Sequence, residues 1–549
     1  MLLPKLFTTL KDYSAGQFFK DILAGIVVGI VAVPLAIAFS IASGVSPDRG
    51  LVTAIVAGFL ISALGGSRVQ IGGPTGAFVV IVYGIVQQHG VDGLITATFI
   101  AGVLLLILGF AGLGTVIKFV PHPVTVGFTS GIAVIIFSSQ IKDFLGLQME
   151  SVPADFIEKI AAIFRAFPAL NPHALAIAME TVLIVAFWPR VSRKIPGSVI
   201  ALLLSVLAAQ FFHWPVETIG SRFGELPASL PRPVLPHLDF NRIQDLIQPA
   251  LVITFLGAIE SLLSAVVADG MIGGRHRSNM ELVAQGIANM ASSVFGGIPA
   301  TGAIARTATN IKNGGRTPVA GMVHALVVLL IVLCLGRWAK LIPLACLAGI
   351  LAVVSYNMSE WRSFVAVTRG LKSGAVVLLV TFGVTVLFDL TVAIEIGMIL
   401  SVFIFMHRMS KATKVRLLEG MVEKEEFSDL DKIKVPKGVE VYEINGPLFF
   451  GIAHEFEEAV RAVAKMPKVR ILRLRHVPII DTTGLEALKE FYDKCHNSHV
   501  ELFFSGAQPQ LLRAIKKYGL YEKFGTKNFF ETIEDALEAA SRHLGAFQG

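Results

Sequence analysis

After Pro74, the sequence Thr75-Gly76-Ala77 begins an apolar segment that covers only residues 75–88. The same three letters, Thr301-Gly302-Ala303, lead into a second apolar segment, residues 303–311, which is shorter still. A helix that crosses the roughly 30 Å of bilayer hydrocarbon needs about 20 residues. The two segments therefore predict a pair of helices that begin inside the membrane rather than at its surface.

The two matching starts belong to an internal repeat. Thr75 and Thr301 lie 226 positions apart, and the same shift moves the apolar segment Asp21–Gly44 onto Ile247–Gly270, which is also apolar. Apolar segments bounded by glycine, proline and charge clusters predict about fourteen spans, at 21–43, 50–64, 75–88, 93–112, 121–142, 173–189, 196–212, 245–267, 279–293, 303–311, 318–336, 341–356, 371–388 and 390–408. Seven spans in each half predict two inverted repeats, because an odd number of spans starts the second half on the opposite side of the membrane.

The overall composition is that of an α-helical membrane protein. Of the 549 residues, 54% are hydrophobic and 16% are charged, whereas a soluble domain carries about 25% charged residues. The net charge of +7 could indicate nucleic-acid binding, but basic residues kept on the cytoplasmic side of a bilayer account for it better. We expect a multi-pass protein of the inner (plasma) membrane, with both termini cytoplasmic and no nucleic-acid partner.

The sequence disfavours an enzyme. It has no nucleotide-binding loop, no metal-ligand cluster and no nucleophile–base constellation. Cys334, Cys346 and Cys495 are scattered, and the histidines show no metal-type spacing. We expect neither a cofactor nor a metal site.

A helix that starts in mid-membrane can bind an anion. Its first N–H groups have no partner within the helix, and its dipole places positive charge at that end. Glycine allows close approach to the backbone, and threonine can donate a hydrogen bond. Thr75, Gly76 and Ala77 in one half and Thr301-Gly302-Ala303 in the other are therefore candidate substrate-binding residues. The alternative is that both short pieces only pack a helix crossing.

The composition changes at about residue 409, where a charged stretch begins. Beyond it, alternating patterns predict strands at Val439–Ile444, Leu448–Phe450, Val469–Leu474 and Val500–Phe504, and helices at Ala453–Lys465, Leu485–His496, Pro509–Tyr518 and Glu531–His543. Strands that alternate with helices predict a small α/β domain with a mostly parallel sheet.

Several motifs, in one order along nearly the whole chain, resemble the sulfate permease family, the prokaryotic relatives of the solute carrier 26 anion transporters. They are Val33-Pro34-Leu35-Ala36-Ile37-Ala38-Phe39, Gly65-Gly66-Ser67-Arg68, Gly73-Pro74-Thr75-Gly76, Gly257-Ala258-Ile259-Glu260-Ser261-Leu262-Leu263 and Ala303-Ile304-Ala305-Arg306-Thr307. The loop Asp481-Thr482-Thr483-Gly484-Leu485 resembles that of a STAS domain.

The resemblance implies a transport domain at residues 1–410, a linker at 411–438 and a cytoplasmic STAS domain at 439–549. Spans one to four and eight to eleven would form a mobile core, and spans five to seven and twelve to fourteen a gate. Transport would follow an elevator-like movement of core against gate, usually in a homodimer. Related members carry sulfate, bicarbonate, chloride, oxalate or dicarboxylates.

Glu260 is the candidate coupling residue, because a charged side chain in an apolar span is costly and usually functional. Ser264 lies one turn later on the same helical face. In sodium-coupled members the position of Glu260 resembles an aspartate, and a threonine is usual where Ile304 stands here. That departure favours H⁺ over Na⁺. The alternative is that Glu260 only pairs with Arg306.

Three further residues, Arg306, Phe39 and Thr483, are candidates. Arg306 could attract the anion, neutralise Glu260 or brace the site. Phe39 occupies a position where relatives line the anion pocket with an aromatic ring, although a lone phenylalanine is usually core. Leu35 replaces a glutamine of animal members. Thr483 matches a phosphorylated position of anti-sigma-factor antagonists, although a plain helix cap at Asp481 or Thr483 accounts for the pattern more simply.

The leading hypothesis is a secondary active transporter that couples H⁺ to the symport of a dicarboxylate or sulfate. A Na⁺-dependent bicarbonate symporter is the rival within the same class. An anion channel or exchanger, or a membrane-anchored sensor that acts through the STAS domain, would be a different class.

Overall fold

The computed structural model describes residues 2–115, 120–149, 153, 155–192, 196–225, 229–236, 240–388, 390–418, 421–423, 432–449 and 467–545. The chain forms two compact units, Met1–Ile399 and Leu400–Gly549.

Helices occupy every predicted span. Those up to the end of the membrane part are α1 Lys5–Thr9, α2 Ala15–Ala42, α3 Pro47–Leu64, α4 Val79–Phe110, α5 His122–Leu145, α6 Phe156–Ala166, α7 Pro172–Phe187, α8 Gly197–Phe211, α9 Ile219–Phe223, α10 Phe240–Ile272, α11 Ser278–Val294, α12 Ile304–Lys312, α13 Pro318–Leu335, α14 Leu344–Met358, α15 Trp361–Arg369, α16 Lys372–Leu387 and α17 Leu390–Ala412. Within the described residues, nine helices are long and apolar enough to cross a bilayer, so the helical membrane fold is confirmed.

The two short segments have the expected form. A 3-10 turn, Gly76–Phe78, precedes α4, and α12 has only 9 residues. The third and fourth predicted spans are joined in α4, which kinks at Gly90 with φ 68°. Glycine adopts this left-handed conformation without the steric cost that a β-carbon would bring.

Small residues bring the membrane helices into close contact. A β-carbon on Gly286 of α11 would lie 2.6 Å from the carbonyl oxygen of Gly102 on α4. One on Gly25 of α2 would lie 2.6 Å from the carbonyl oxygen of Ala320 on α13. Because lipid is as apolar as leucine, such close van der Waals packing, rather than the hydrophobic effect, holds helices together in a bilayer.

The helices of this unit pack in two groups. In one group, α4 packs along α10 and α11, and α13 packs along α2 and α3. In the other, α5 packs along α14 and α16, and α7 along α8 and α14. The first group contains both short segments.

The second unit is built on a five-stranded sheet with the order β3-β6-β7-β8-β9. Its pairings are parallel except between β3 and β6. Among the described residues of the chain, the strands are β1 Gly72–Gly73, β2 Thr301–Gly302, β3 Lys414–Leu418, β4 Met421–Glu423, β5 Lys432–Lys434, β6 Val439–Asn445, β7 Val469–His476, β8 Glu501–Ser505 and β9 Phe529–Phe530. The helices in the described part of this unit are α18 Thr482–Asn497, α19 Pro509–Lys517, α20 Leu520–Lys523 and α21 Ile533–Gly545. The predicted α/β domain with a mostly parallel sheet is confirmed.

Two sequence predictions for this unit are corrected. Residues 414–418, assigned to the linker, form the edge strand β3, since their backbone pairs with β6. The predicted strand at Leu448 is a single bridge to Ile480, because the chain bends at the next residue. The predicted helix at residues 453–465 lies outside the described residues.

Gly286→Ala should destabilise the membrane unit, because the new methyl group would meet backbone of α4. Overpacking of this kind costs about 1–3 kcal/mol, so we expect a lower apparent Tm in detergent by scanning fluorimetry. Gly383→Ala is the matched control, since nothing lies within 4 Å of the position its β-carbon would take. Equal Tm values for the two variants would contradict the close α4–α11 contact.

Candidate functional site

The two short segments meet in a two-residue antiparallel ladder. Gly72 pairs with Gly302, and Gly73 pairs with Thr301. The ladder satisfies backbone groups that would otherwise be unpaired inside the membrane. It places the 3-10 turn at Gly76 and the start of α12 next to each other, as the repeat predicts.

Both helix starts carry backbone N–H groups without a partner among the described residues. They belong to Gly76 and Ala77 at one start, and to Ile304, Ala305 and Arg306 at the other. The first turn of any helix leaves such donors. Here neither start has a side-chain cap, so the donors are free to bind a negative group.

The structure changes the prediction for the second start. The Thr301 hydroxyl lies 2.6 Å from the Ser261 hydroxyl and donates to the carbonyl oxygen of Gly257. The N–H of Gly302 donates to Ser261 Oγ at 3.2 Å, and the N–H of Ala303 donates to the carbonyl oxygen of Ile71 at 2.8 Å. The hydrogen bonds of these three predicted residues fix the backbone at this helix start. The unpaired N–H donors begin at the next residue, Ile304.

Thr75 differs from its repeat partner. Its hydroxyl oxygen is buried and has no hydrogen-bond partner among the described residues. Thr75 precedes the unpaired N–H groups of Gly76 and Ala77, so its hydroxyl can add a third donor to the same side of the site.

Arg306 is buried, with 3% of its surface exposed. Its Nη2 donates to the carbonyl oxygen of Pro74, while Nη1 has no described partner. A β-carbon on Gly73 would lie 2.7 Å from Nη1, and Gly73 has φ 147°, a conformation that favours glycine. The guanidinium therefore ties α12 to the first short segment and keeps one nitrogen available for an anion.

The first helix start faces both groups of helices. A β-carbon on Gly76 would lie 3.3 Å from Cε1 of Phe39 on α2, 2.7 Å from Sδ of Met358 on α14 and 3.4 Å from Cδ1 of Ile136 on α5. Phe39 is buried, with 5% of its surface exposed. The structure thus brings the predicted aromatic ring to the predicted backbone tip, at the boundary between the two helix groups.

Glu260 lies on α10 and is half-buried. Its carboxylate makes no hydrogen bond or ion pair with a described residue, so the proposed pairing with Arg306 is not present in the structure. Ser264, one turn later, is fully buried, and its hydroxyl lies 3.5 Å from that of Thr307. The two predicted coupling residues share a helical face, but the serine hydroxyl is turned towards α12.

Glu281 was not predicted as a site residue, although it accepts four hydrogen bonds near the site. Its Oε2 accepts hydrogen bonds from the N–H groups of Gly66 (2.8 Å) and Ser67 (3.0 Å). Its Oε1 accepts from Nε2 of Gln70 (3.0 Å) and of Gln285 (3.1 Å). Gln70 in turn packs directly on Gly302, where it leaves no room for a β-carbon. Glu281 therefore fixes the loop that leads into β1.

Asp21 fixes the chain after α12 in the same way. This fully buried acid accepts hydrogen bonds from the N–H of Arg316 (2.8 Å) and from the hydroxyls of Thr317 (2.6 Å) and Tyr13 (2.9 Å). Neither acid has a sequence signal beyond an acidic residue near an apolar segment, because their partners are far away along the chain.

In the second unit, Asp481 is the N-cap of α18, and its Oδ1 accepts from the N–H of Gly484 at 2.8 Å. The cap interpretation is therefore confirmed. Thr483 is exposed in the first turn of the same helix.

Comparison with known proteins identifies both units. The family model described as "Sulfate permease family" matches residues 18–381, and the one described as "STAS domain" matches residues 432–536. The chain is 45% identical over 523 residues to "Putative sulfate transporter YvdB" of Bacillus subtilis, covering 95% of this chain and 97% of the relative. It is 30% identical over 535 residues to "Bicarbonate transporter BicA" of Picosynechococcus, covering 95% of this chain and 94% of the relative.

Solved structures agree on the fold. The murine solute carrier 26 member A9 anion transporter in its inward-facing state has a TM-score of 0.87 at 19% identity, covering 98% of this chain and 94% of that one. The transmembrane domain of a cyanobacterial BicA has a TM-score of 0.63 at 31% identity, covering 71% of this chain and 98% of that one.

Glu281→Gln should destabilise the membrane unit, because a glutamine amide has one acceptor oxygen and its NH₂ group would face N–H donors. Loss of hydrogen bonds to a charged acceptor costs about 3 kcal/mol here. A lower apparent Tm in scanning fluorimetry is expected. Glu395→Gln is the control, since Glu395 is exposed and without a described partner. If both variants keep the parental Tm, Glu281 does not hold the loop.

Proposed function

Because this chain belongs to the sulfate permease family, we propose that it couples H⁺ to the symport of sulfate or a dicarboxylate. It is a membrane transporter of anions and not an enzyme, as its family and relatives are transporters. The finer assignment, of substrate and coupling ion, is the proposal.

The observation that carries the proposal is the pair of helix starts joined by the β1–β2 ladder. Unpaired N–H groups converge from Gly76 and from the first turn of α12. Arg306 adds a fixed positive charge with one unpaired nitrogen. Donors from several directions suit an oxyanion with acceptor oxygens on more than one side. The Bacillus relative named as a putative sulfate transporter supports sulfate as the first anion to test.

Glu260 is the proposed H⁺ carrier. Its half-buried carboxylate has no described partner, so it can bind a proton without breaking an existing bond. A Na⁺ site would need several oxygen ligands. Ser264 is turned towards Thr307, and Ile304 contributes no side-chain oxygen. These contacts favour H⁺.

The site moves, in this proposal, by an elevator-like shift of the core. The helix group that holds both short segments would slide against the group of α5, α7, α8, α14 and α16, carrying Gly76 past Met358 and Ile136. The protein would work in the inner membrane as a homodimer with both termini in the cytoplasm. Phosphorylation of the exposed Thr483 would be a means of regulation, since the phosphate would meet a helix N-terminus.

A Na⁺-dependent bicarbonate symporter is the second candidate, supported by the 30% identical cyanobacterial relative. Bicarbonate is also a small oxyanion, so the helix starts alone do not separate it from sulfate. The coupling ion and the substrate therefore need a direct measurement.

Uptake of labelled sulfate, bicarbonate, fumarate and succinate into proteoliposomes separates the candidates. With an inward H⁺ gradient we expect sulfate or a dicarboxylate to accumulate, because a symporter draws on the proton gradient. Without a gradient accumulation should stop. Accumulation of bicarbonate driven by Na⁺ alone would favour the second candidate. Fluxes that ignore both gradients would indicate a channel or an exchanger.

Glu260→Gln should abolish gradient-driven accumulation, because the amide mimics a permanently neutral carboxyl group. Passive exchange of labelled for unlabelled anion should persist, since no proton need be released. Glu395→Gln is the control and should accumulate anion like the parent. Unchanged accumulation in Glu260→Gln would show that another group carries the proton.

A further inference from the structure

A second polar site lies at the end of the membrane helices opposite the N-terminus. It is a cavity of about 460 Å³ between the end of α2, the first half of α4, the end of α5 and the helix α6. Its lining includes Val79, the first residue after the 3-10 turn Gly76–Phe78. The cavity therefore adjoins the first of the two helix starts.

Lys159 on α6 lines this cavity. Only 3% of its surface is exposed, and it makes no hydrogen bond or ion pair with any described residue. Its aliphatic stem is packed, whereas Nζ is not fully enclosed, so the ammonium group is available to water or to an anion in the cavity. Burial lowers the pKa of Lys159, and the negative charge of Asp155, one helical turn earlier, opposes this effect.

The carboxylates around the cavity are otherwise engaged or at its rim. Asp143 accepts hydrogen bonds from Arg222 at 2.7 Å and 3.2 Å. Oδ1 of Asp155 accepts from two N–H groups in the first turn of α6. Asp245 is exposed. Lys142, the other lysine of the lining, donates to the carbonyl oxygen of Met149 at 2.7 Å.

We propose that Lys159 is the centre of an entry site, where a small oxyanion binds before it moves to the helix starts at Gly76 and α12. An anion held there would accept hydrogen bonds from an ammonium group that donates none to the described residues. The lining holds three aspartates and three basic residues, so the attraction for an anion is local to the ammonium group of Lys159. The place of Lys159 on an entry path rests on the proposed function, whereas the binding of an anion at Lys159 does not.

The first experiment measures sulfate uptake into cells of a strain that lacks its own sulfate transport. Lys159→Met keeps the apolar stem and removes the charge. We expect its KM for external sulfate to rise about threefold to tenfold, with Vmax within about twofold of the parent. Lys159→Arg should keep the parental KM. Arg165→Met is the matched control, because Arg165 lies on the same helix but is exposed and outside the cavity lining.

The second experiment needs no transport. Ser139 lines the cavity and differs from cysteine by one atom, so Ser139→Cys provides a reporter once Cys334, Cys346 and Cys495 have been replaced. The reporter should react faster with an anionic than with a cationic methanethiosulfonate, and sulfate should slow the anionic reaction. Lys159→Met should reduce this selectivity about threefold to tenfold, and Arg165→Met should not.

The two readouts separate the possible failures. An unchanged reagent selectivity in Lys159→Met would overturn the entry site. A changed selectivity with an unchanged KM would overturn its place on the transport path. If the parent takes up no sulfate, the assignment of sulfate as substrate fails, and the reagent selectivity still decides whether Lys159 attracts anions. If Lys159→Met does not fold, Lys159→Gln replaces it.

Discussion

The structure depends on one constraint: every backbone N–H and C=O group inside the hydrocarbon needs a partner. Two helices that begin in mid-membrane violate this rule unless something replaces the missing turns. The β1–β2 ladder does so with two pairs of residues, Gly72 with Gly302 and Gly73 with Thr301. The ladder also joins the two halves of the repeat, so each short segment is paired with its counterpart. The donors that remain unpaired lie just beyond the ladder, and they are the ones available to a substrate.

Buried acids hold this arrangement in place from outside. Glu281 accepts hydrogen bonds from the loop before β1, and Asp21 accepts them from the chain after α12. Each acid accepts from several donors, which is the condition under which a buried carboxylate is tolerated. Glu260 is the contrast, because it is half-buried and has no described partner. The acids with full sets of donors are structural, and the one without them is the candidate for proton transfer.

Two basic side chains along the proposed path also keep donors available for an anion. Arg306 uses one nitrogen to bind the carbonyl of Pro74 and keeps another free. Lys159 lines the outer cavity without a described partner. An anion would thus meet one recessed positive charge at the mouth and a second at the helix starts. At the helix starts the backbone donors are already oriented by the fold, so little reorganisation accompanies binding there.

The sequence by itself determined the membrane class, the spans and the two broken helices, because hydrophobicity, helix length and Gly/Pro breaks are local properties. It also determined that Thr75 and Thr301 occupy matching positions in a repeat. It did not reveal that Thr301, Gly302 and Ala303 form hydrogen bonds with Ser261, Gly257 and Ile71. Nor did it reveal the hydrogen bond that Gln70 donates to Glu281. Strand β3 within the supposed linker was missed for the same reason. Those pairings join residues far apart along the chain, and only the packing of the helices and strands decides which donor meets which acceptor.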